Sequence, residues 1–240
     1  LSNVIDSLSI TKQFVYDEKT ITMQKLIDAL KNNWSGYEDL RNLILKKGNF
    51  FGNDNDCSNE IAKRLCKSIG KWNNTENYLK KKWLFGNLVG YNEHHKFFGD
   101  ATKATPDGRF SGDMISFGIG QSEGKDREGL TALLNSISRC DPDAVLTGPS
   151  VTNVLIDEQL IKNNDNFNKL VYLFETYFKN GGTHFQLTYV SKEDLIAAQK
   201  TPDNYRNLRV RVSGFSDYFV FLNEGLQNEI ISRTKHSSWR

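Results

Sequence analysis

The stretch Arg209-Val210-Arg211-Val212-Ser213-Gly214-Phe215-Ser216-Asp217-Tyr218-Phe219-Val220-Phe221-Leu222 constrains this chain more than any other. β-Branched and aromatic residues alternate on both sides of a residue with no side chain. That pattern predicts strand, tight turn, strand, with Val210, Val212, Phe219 and Phe221 buried. Gly214 then takes a turn position at which φ is positive. Downstream, Glu229 to Thr234 predicts a helix.

The wording around the glycine is as informative as its pattern. Arg211-Val212-Ser213-Gly214-Phe215, a short strand, and then Glu229-Ile230-Ile231-Ser232-Arg233-Thr234 resemble the C-terminal signature of the glycyl radical enzymes, the pyruvate formate-lyase-like family. The signature is long, whereas Arg-Val-Ser-Gly alone is weak. Other runs match the family in order and spacing: Thr105-Pro106-Asp107-Gly108-Arg109, Phe117-Gly118-Ile119-Gly120, Gly124-Lys125-Asp126-Arg127 and the helix Gly129 to Ser136. Phe51-Gly52-Asn53-Asp54-Asn55 leading into Glu60-Ile61-Ala62 adds to the likeness. The wording lies nearer the glycerol and hydroxyproline dehydratase and choline lyase branch than pyruvate formate-lyase itself. Asp217, where many members have a small residue, and Thr188, where members often carry Asn, depart from the family pattern.

The resemblance implies that Gly214 is the catalytic residue. Loss of an α-hydrogen leaves a planar radical shared between the flanking amides, and a Cβ would both strain that plane and block approach to it. Arg211, Val212, Ser213 and Phe215 would support the loop. The radical would be installed after translation by a separate activating enzyme that uses S-adenosylmethionine and an iron–sulfur cluster, with no cofactor bound by this chain. It would then generate a cysteine thiyl that attacks a small-molecule substrate. The family places that cysteine in a Gly-Cys-x-Glu loop or as two adjacent cysteines, and neither pattern surrounds Cys57, Cys66 or Cys140, so the thiyl cysteine is expected outside this chain. Each of the three reads as a small packing residue.

By the same resemblance the fold is α/β, part of a ten-stranded α/β barrel, with this chain supplying the second half-barrel and the glycine loop. Residues 1–103 would form a helical region of that half and residues 104–240 the glycine radical domain. Leu1 to Leu8 starts inside an apolar-periodic helix, as a piece of a longer enzyme would. The implied partners are the activating enzyme, the N-terminal portion of the same enzyme and, at full length, a second copy as a homodimer. A small spare-part carrier of the glycine loop and a non-enzymatic remnant are the alternatives; carriers are shorter than 240 residues.

Charge and composition exclude other classes. Lys and Arg total 31 against 29 Asp and Glu, so no field of one sign argues for nucleic acid or an anionic membrane. No apolar run reaches the roughly 20 residues of a membrane span, and no signal peptide opens the chain, which points to a cytoplasmic protein. Three cysteines without Cys-x-x-Cys give neither a disulfide framework nor a zinc site. The Asn/Asp turn at 53–56 lacks the later ligands of a calcium loop, and adjacent His94 and His95 point apart, so no metal is expected.

Local signals fill in the elements. Helices are expected over 4–18, from a Thr22 cap through Leu30 with Leu26, Ile27 and Leu30 buried, and over 38–45, with Trp34 to Tyr37 as a break. Lys67 to Lys82 reads as a surface helix and loop. A helix over 168–180 with Leu170, Leu173, Phe174 and Tyr177 on one face ends at Gly181-Gly182. Thr183 to Val190 follows as a strand and Ser191 caps the next helix. His184 and Gln186 share one face of that strand, where both can line a cavity, as can Thr105, Asp107 and Arg109 of the Pro-Asp-Gly turn.

Overall fold

A computed structural model of the protein describes residues 1–73, 94–116, 118–140, 151–157, 160–161, 163–212, 215–233 and 235–236. The chain opens with α1 (Ser2–Thr11), which widens into a π-helical turn over Lys12–Asp17. α2 (Met23–Lys31) begins where the Thr22 hydroxyl accepts from the Lys25 amide at 3.1 Å, the expected cap. Leu26 is buried as expected, but Ile27 is exposed and Ala29 takes the inward position, because the buried stripe here is only one residue wide. α3 (Glu38–Lys47) has acids in its first turn and lysines in its last, matching the helix dipole at both ends.

Trp34 does more than break a helix. Held at φ +64 and 1% exposed, it fills the centre of a cluster with Phe14, Leu26, Ile44 and Phe50. Its indole Nε1 donates to the Arg109 carbonyl at 3.2 Å, so the opening helices and the Pro-Asp-Gly turn fold as one unit. Trp34→Ala should therefore lower unfolding free energy by about 3–5 kcal/mol. Chemical denaturation of the two proteins measures it, and a loss below about 1 kcal/mol would show that the cluster closes without the indole.

α4 (Asp56–Asn73), α5 (His94–Ala101) and α6 (Leu130–Cys140) follow. α4 starts from an Asx turn: Asn55 Oδ1 accepts from the amides of Cys57 and Ser58. The Lys67–Lys82 reading lies outside the described residues beyond 73. β1 (Asn153–Ile156), α7 (Asn164–Lys179) and β2 (Gln186–Tyr189) form a βαβ unit in which β1 and β2 run parallel. β5 (Lys235–His236) adds to the other edge of β1, also parallel, giving the order β2-β1-β5. All four β1 residues are buried, as a parallel strand covered on both faces requires. Leu170 and Tyr177 of α7 pack into the main core with Phe51, Leu133 and Val154.

The last unit holds α8 (Lys192–Lys200), the antiparallel pair β3 (Arg209–Arg211) and β4 (Ser216–Tyr218), and α9 (Glu224–Ser232). Ser191 Oγ caps α8 through the Asp194 amide at 2.9 Å. The expected alternation across the second strand is corrected here. Phe219–Phe221 is a 3-10 turn, so Phe219 is buried between α8 and α9 while Phe221 is 70% exposed. Three residues per turn cannot place both rings on one side. Among the described residues no helix is long and apolar enough to cross a membrane.

Candidate active site: the glycine loop and its clamp

Arg211 pairs with Ser216 in the β3–β4 register, and the Val212 amide donates to the Phe215 carbonyl at 3.0 Å. That register and that bond close a hairpin whose connection, in sequence, is Ser213-Gly214. Two-residue connections between antiparallel strands use turns with φ > 0, which is the demand a glycine meets. Ser213 and Gly214 themselves lie outside the described residues. The side of the hairpin is less apolar than the alternation predicts, since Phe215 and Ser216 are exposed and Asp217 is half-buried.

One buried side chain holds the strand that leads into the glycine. Arg233, which ends α9, donates from Nη1 to the Arg211 carbonyl at 2.8 Å and from Nη2 to the Val212 carbonyl at 3.2 Å. Its Nε and Nη2 also meet the two Glu229 oxygens at 3.0 and 3.1 Å, a bidentate pair one helical turn apart and nearly solvent-free. Asn153 of β1 adds a bond to the Val212 carbonyl at 3.3 Å. These are ladder-edge carbonyls that antiparallel pairing leaves unused, and a guanidinium satisfies them in fixed directions.

Further charges are stacked behind this clamp. Burial first, and then the neighbouring Glu229 carboxylate, hold Glu123 well above the usual carboxylate range, with Arg233 pulling the other way. His236 Nε2 of β5 lies 3.0 Å from Asp126 Oδ2, both side chains buried. Glu123 and Glu229 also border a cavity of about 280 Å³, shared with Asp107, Arg109, Ser122 and Lys125. Loop 121–127 thus joins the glycine hairpin to the Pro-Asp-Gly turn.

The same segments carry the likeness to known proteins. Residues 115–220 match the family described as Glycine radical, and residues 1–85 match Pyruvate formate lyase-like. The chain belongs to the glycyl radical enzymes. Similar proteins include an isethionate sulfite-lyase of Nitratidesulfovibrio vulgaris, 34% identical over 97% of this chain and 28% of that protein. A trans-4-hydroxy-L-proline dehydratase of Clostridioides difficile is 31% identical over 99% of this chain and 30% of its own length. The glycerol-bound B12-independent glycerol dehydratase from Clostridium butyricum superposes with a TM-score of 0.89 at 34% identity, again over 99% and 30%. The chain thus spans about 30% of the relatives it matches, and its mixed helices and strands form part of the α/β barrel fold of these enzymes.

Within this glycyl radical enzyme chain the other sequence-derived site residues separate into two groups. Asp107 and Arg109 line the cavity and Thr105 supports Asp107 from outside its lining. Asp107 also accepts from Asn3 Nδ2 at 2.8 Å and pairs with Lys125 at 3.2 Å. Burial alone would raise the Asp107 pKa, but Lys125 and these hydrogen bonds bring it below the usual range. Arg109 donates to the carbonyls of Thr102, Lys103 and Asp113. Both side chains therefore build the turn, whose Gly108 sits at φ +87.

His184 and Gln186 do not line that cavity. The strand starts at Gln186, which is buried and whose amide donates to the Thr152 carbonyl, while His184 precedes it and is half-buried. Burial and the Arg211 charge lower the His184 pKa, and its Nδ1 has no hydrogen-bond partner among the described residues. Glu229, Arg233, Asn153 and Glu123 were not singled out from sequence. The Glu229 to Thr234 wording was the available signal, but an i,i+4 acid–base pair reads on paper as an ordinary solvated helix pair. Among the described residues no group of three or more His, Cys, Asp or Glu side chains could hold a metal.

The buried carboxyls set a pH dependence. Burial pushes Asp6 up to about 7 against the opposing Lys125 charge and the Ser122 hydrogen bond, and Glu123 is raised as well. A carboxyl with a raised folded pKa binds its proton more tightly folded than unfolded, so stability falls as pH rises from the ordinary carboxylate range through the folded value. The depressed Asp107 acts oppositely, but its contribution is already complete at pH 5, and the lowered, only partly buried His184 loses stability as pH falls through the ordinary imidazole range and offsets part of the effect. The melting temperature should be higher at pH 5 than at pH 8, and Asp6→Asn should flatten the difference. Equal melting temperatures at the two pH values would contradict the assigned shifts.

Proposed function

We propose that this chain is the radical-bearing part of a glycyl radical lyase or dehydratase, with Gly214 as the carrier. The observation that carries the reading is the clamp: the family signature's Arg233, held by Glu229, donates to the two carbonyls that precede Ser213-Gly214. In the proposed mechanism, an activating enzyme with an iron–sulfur cluster and S-adenosylmethionine removes one α-hydrogen from Gly214. The stored radical then takes a hydrogen atom from a cysteine outside this chain, and the thiyl opens a C–O, C–N or C–C bond of a small-molecule substrate. The N-terminal portion of the enzyme would supply that cysteine and close the barrel. Residues 1–103 would then belong to the barrel and residues 104–240 to the glycine radical domain.

The similar proteins are a sulfite-lyase and dehydratases, which supports the reaction class without naming a substrate. The test is electron paramagnetic resonance of the intact natural protein after anaerobic incubation with its activating enzyme. A glycyl doublet, split by the one remaining α-hydrogen and collapsed by α-deuterated glycine, is the expected spectrum. Absence of any organic radical under conditions that activate a known relative would leave only a structural remnant.

A further inference from the structure

Two of the three cysteines of this sequence meet inside the core. Cys66 lies in α4 and Cys140 at the end of α6, 74 positions apart, with their sulfurs 2.8 Å apart and both side chains buried. Helical packing of α4 on α6 brings them together, and Ala62, Leu133 and Ile137 of the same two helices surround them. A disulfide bond needs about 2.05 Å between sulfurs, so well under 1 Å of side-chain adjustment separates the thiol pair from a bond. Cys57, half-buried, lies beside Ser9 instead.

We infer that Cys66 and Cys140 form an oxidisable dithiol that crosslinks α4 to α6. The inference is independent of the Gly214 radical. With a hydroperoxide as oxidant, one thiol sulfur is oxidised to a sulfenic acid while the peroxide O–O bond breaks and an alcohol leaves. The second sulfur then attacks the first, the S–S bond forms, and water departs with the hydroxyl. Two electrons pass from the two thiols to the peroxide, and the two thiol hydrogens end in the alcohol and the water. Burial slows the first step because the oxidant must enter the core. It does not slow the second, since the resolving thiol is already in contact. Such a pair should close before either sulfur is oxidised further.

The crosslink would also act on the glycine side of the molecule. The loop between Phe51 and Asp56 is tied to α6 through Asp54, whose amide donates to Ser136 Oγ and whose carboxylate accepts from Asn135 and Arg139. Joining α4 to α6 therefore fastens both ends of the segment that supports loop 121–127.

The test treats the intact natural protein, folded, with cumene hydroperoxide under otherwise anaerobic conditions, followed by denaturation, alkylation and peptide mass mapping. The expected result is a Cys66–Cys140 linked peptide lighter by two hydrogens and cleaved by reductant. Cys140→Ser should lose it and accumulate sulfinic acid at Cys66, which the native pair prevents. Cys66→Ser should likewise abolish the link. The inference is overturned if both cysteines of the folded protein remain alkylatable after Cys57 has reacted, if the link forms only in denaturant, or if sulfinic acid builds up equally in the native protein and in Cys140→Ser.

Discussion

The Gly214→Ala protein gives no radical signal after incubation with the activating enzyme, while its circular dichroism and melting transition stay close to the native ones. A methyl at a turn position costs about 1 kcal/mol, small beside total domain stability. Its chemical effect is far larger, because the methyl shields the remaining α-hydrogen and opposes the planar radical. Oxygen supplies a second readout on the native protein. A radical on the α-carbon adds dioxygen, and the resulting peroxyl breaks the main chain there. Activated protein exposed to air should therefore shed a C-terminal peptide beginning about residue 214, and unactivated protein should stay whole. Proteolysis would not depend on activation. An intact C-terminus in a sample with a verified prior doublet, or full activity in Gly214→Ala, would remove Gly214 as the carrier.

Arg233→Met should be the most damaging change outside the glycine. It leaves the buried Glu229 carboxylate without its bidentate partner, removes the guanidinium from the Arg211 carbonyl and leaves the Val212 carbonyl with the Asn153 bond in its place. Removing one side of a buried pair costs about 3–5 kcal/mol. Stability and positioning separate in the double variant Arg233→Met, Glu229→Leu. Removing both charges should restore most of the melting temperature, yet radical yield should remain far below native because the guanidinium that held both carbonyls is still missing. A double variant with native radical yield would show that the clamp serves folding alone.

The family and the central glycine were legible because they depend on local wording. Only a residue without a side chain suits both a tight hairpin connection and an α-carbon radical, and the surrounding words are specific enough to name the family. Helix caps were legible for the same reason. Thr22 and Ser191 act within three residues of themselves, and both were placed correctly. Phe221 and Ile27 were misplaced because periodicity gives the faces of an element but not how wide a stripe the neighbours cover, and a 3-10 turn breaks period two at its first residue.

The sequence by itself named the glycine proposed to carry the radical, placed the caps at Thr22 and Ser191, and showed that none of Cys57, Cys66 and Cys140 has the neighbours expected of a thiyl cysteine. Those features are local, set by side-chain size, backbone freedom and hydrogen-bond reach over a few residues. Only the tertiary structure decided that Arg233 reaches back 22 positions to the Arg211 carbonyl, that Trp34 binds the Arg109 carbonyl, and that Cys66 faces Cys140. Each of those contacts joins segments whose approach is set by burial of shared apolar faces, and burial specifies how much surface is covered before it specifies which polar groups meet beneath it.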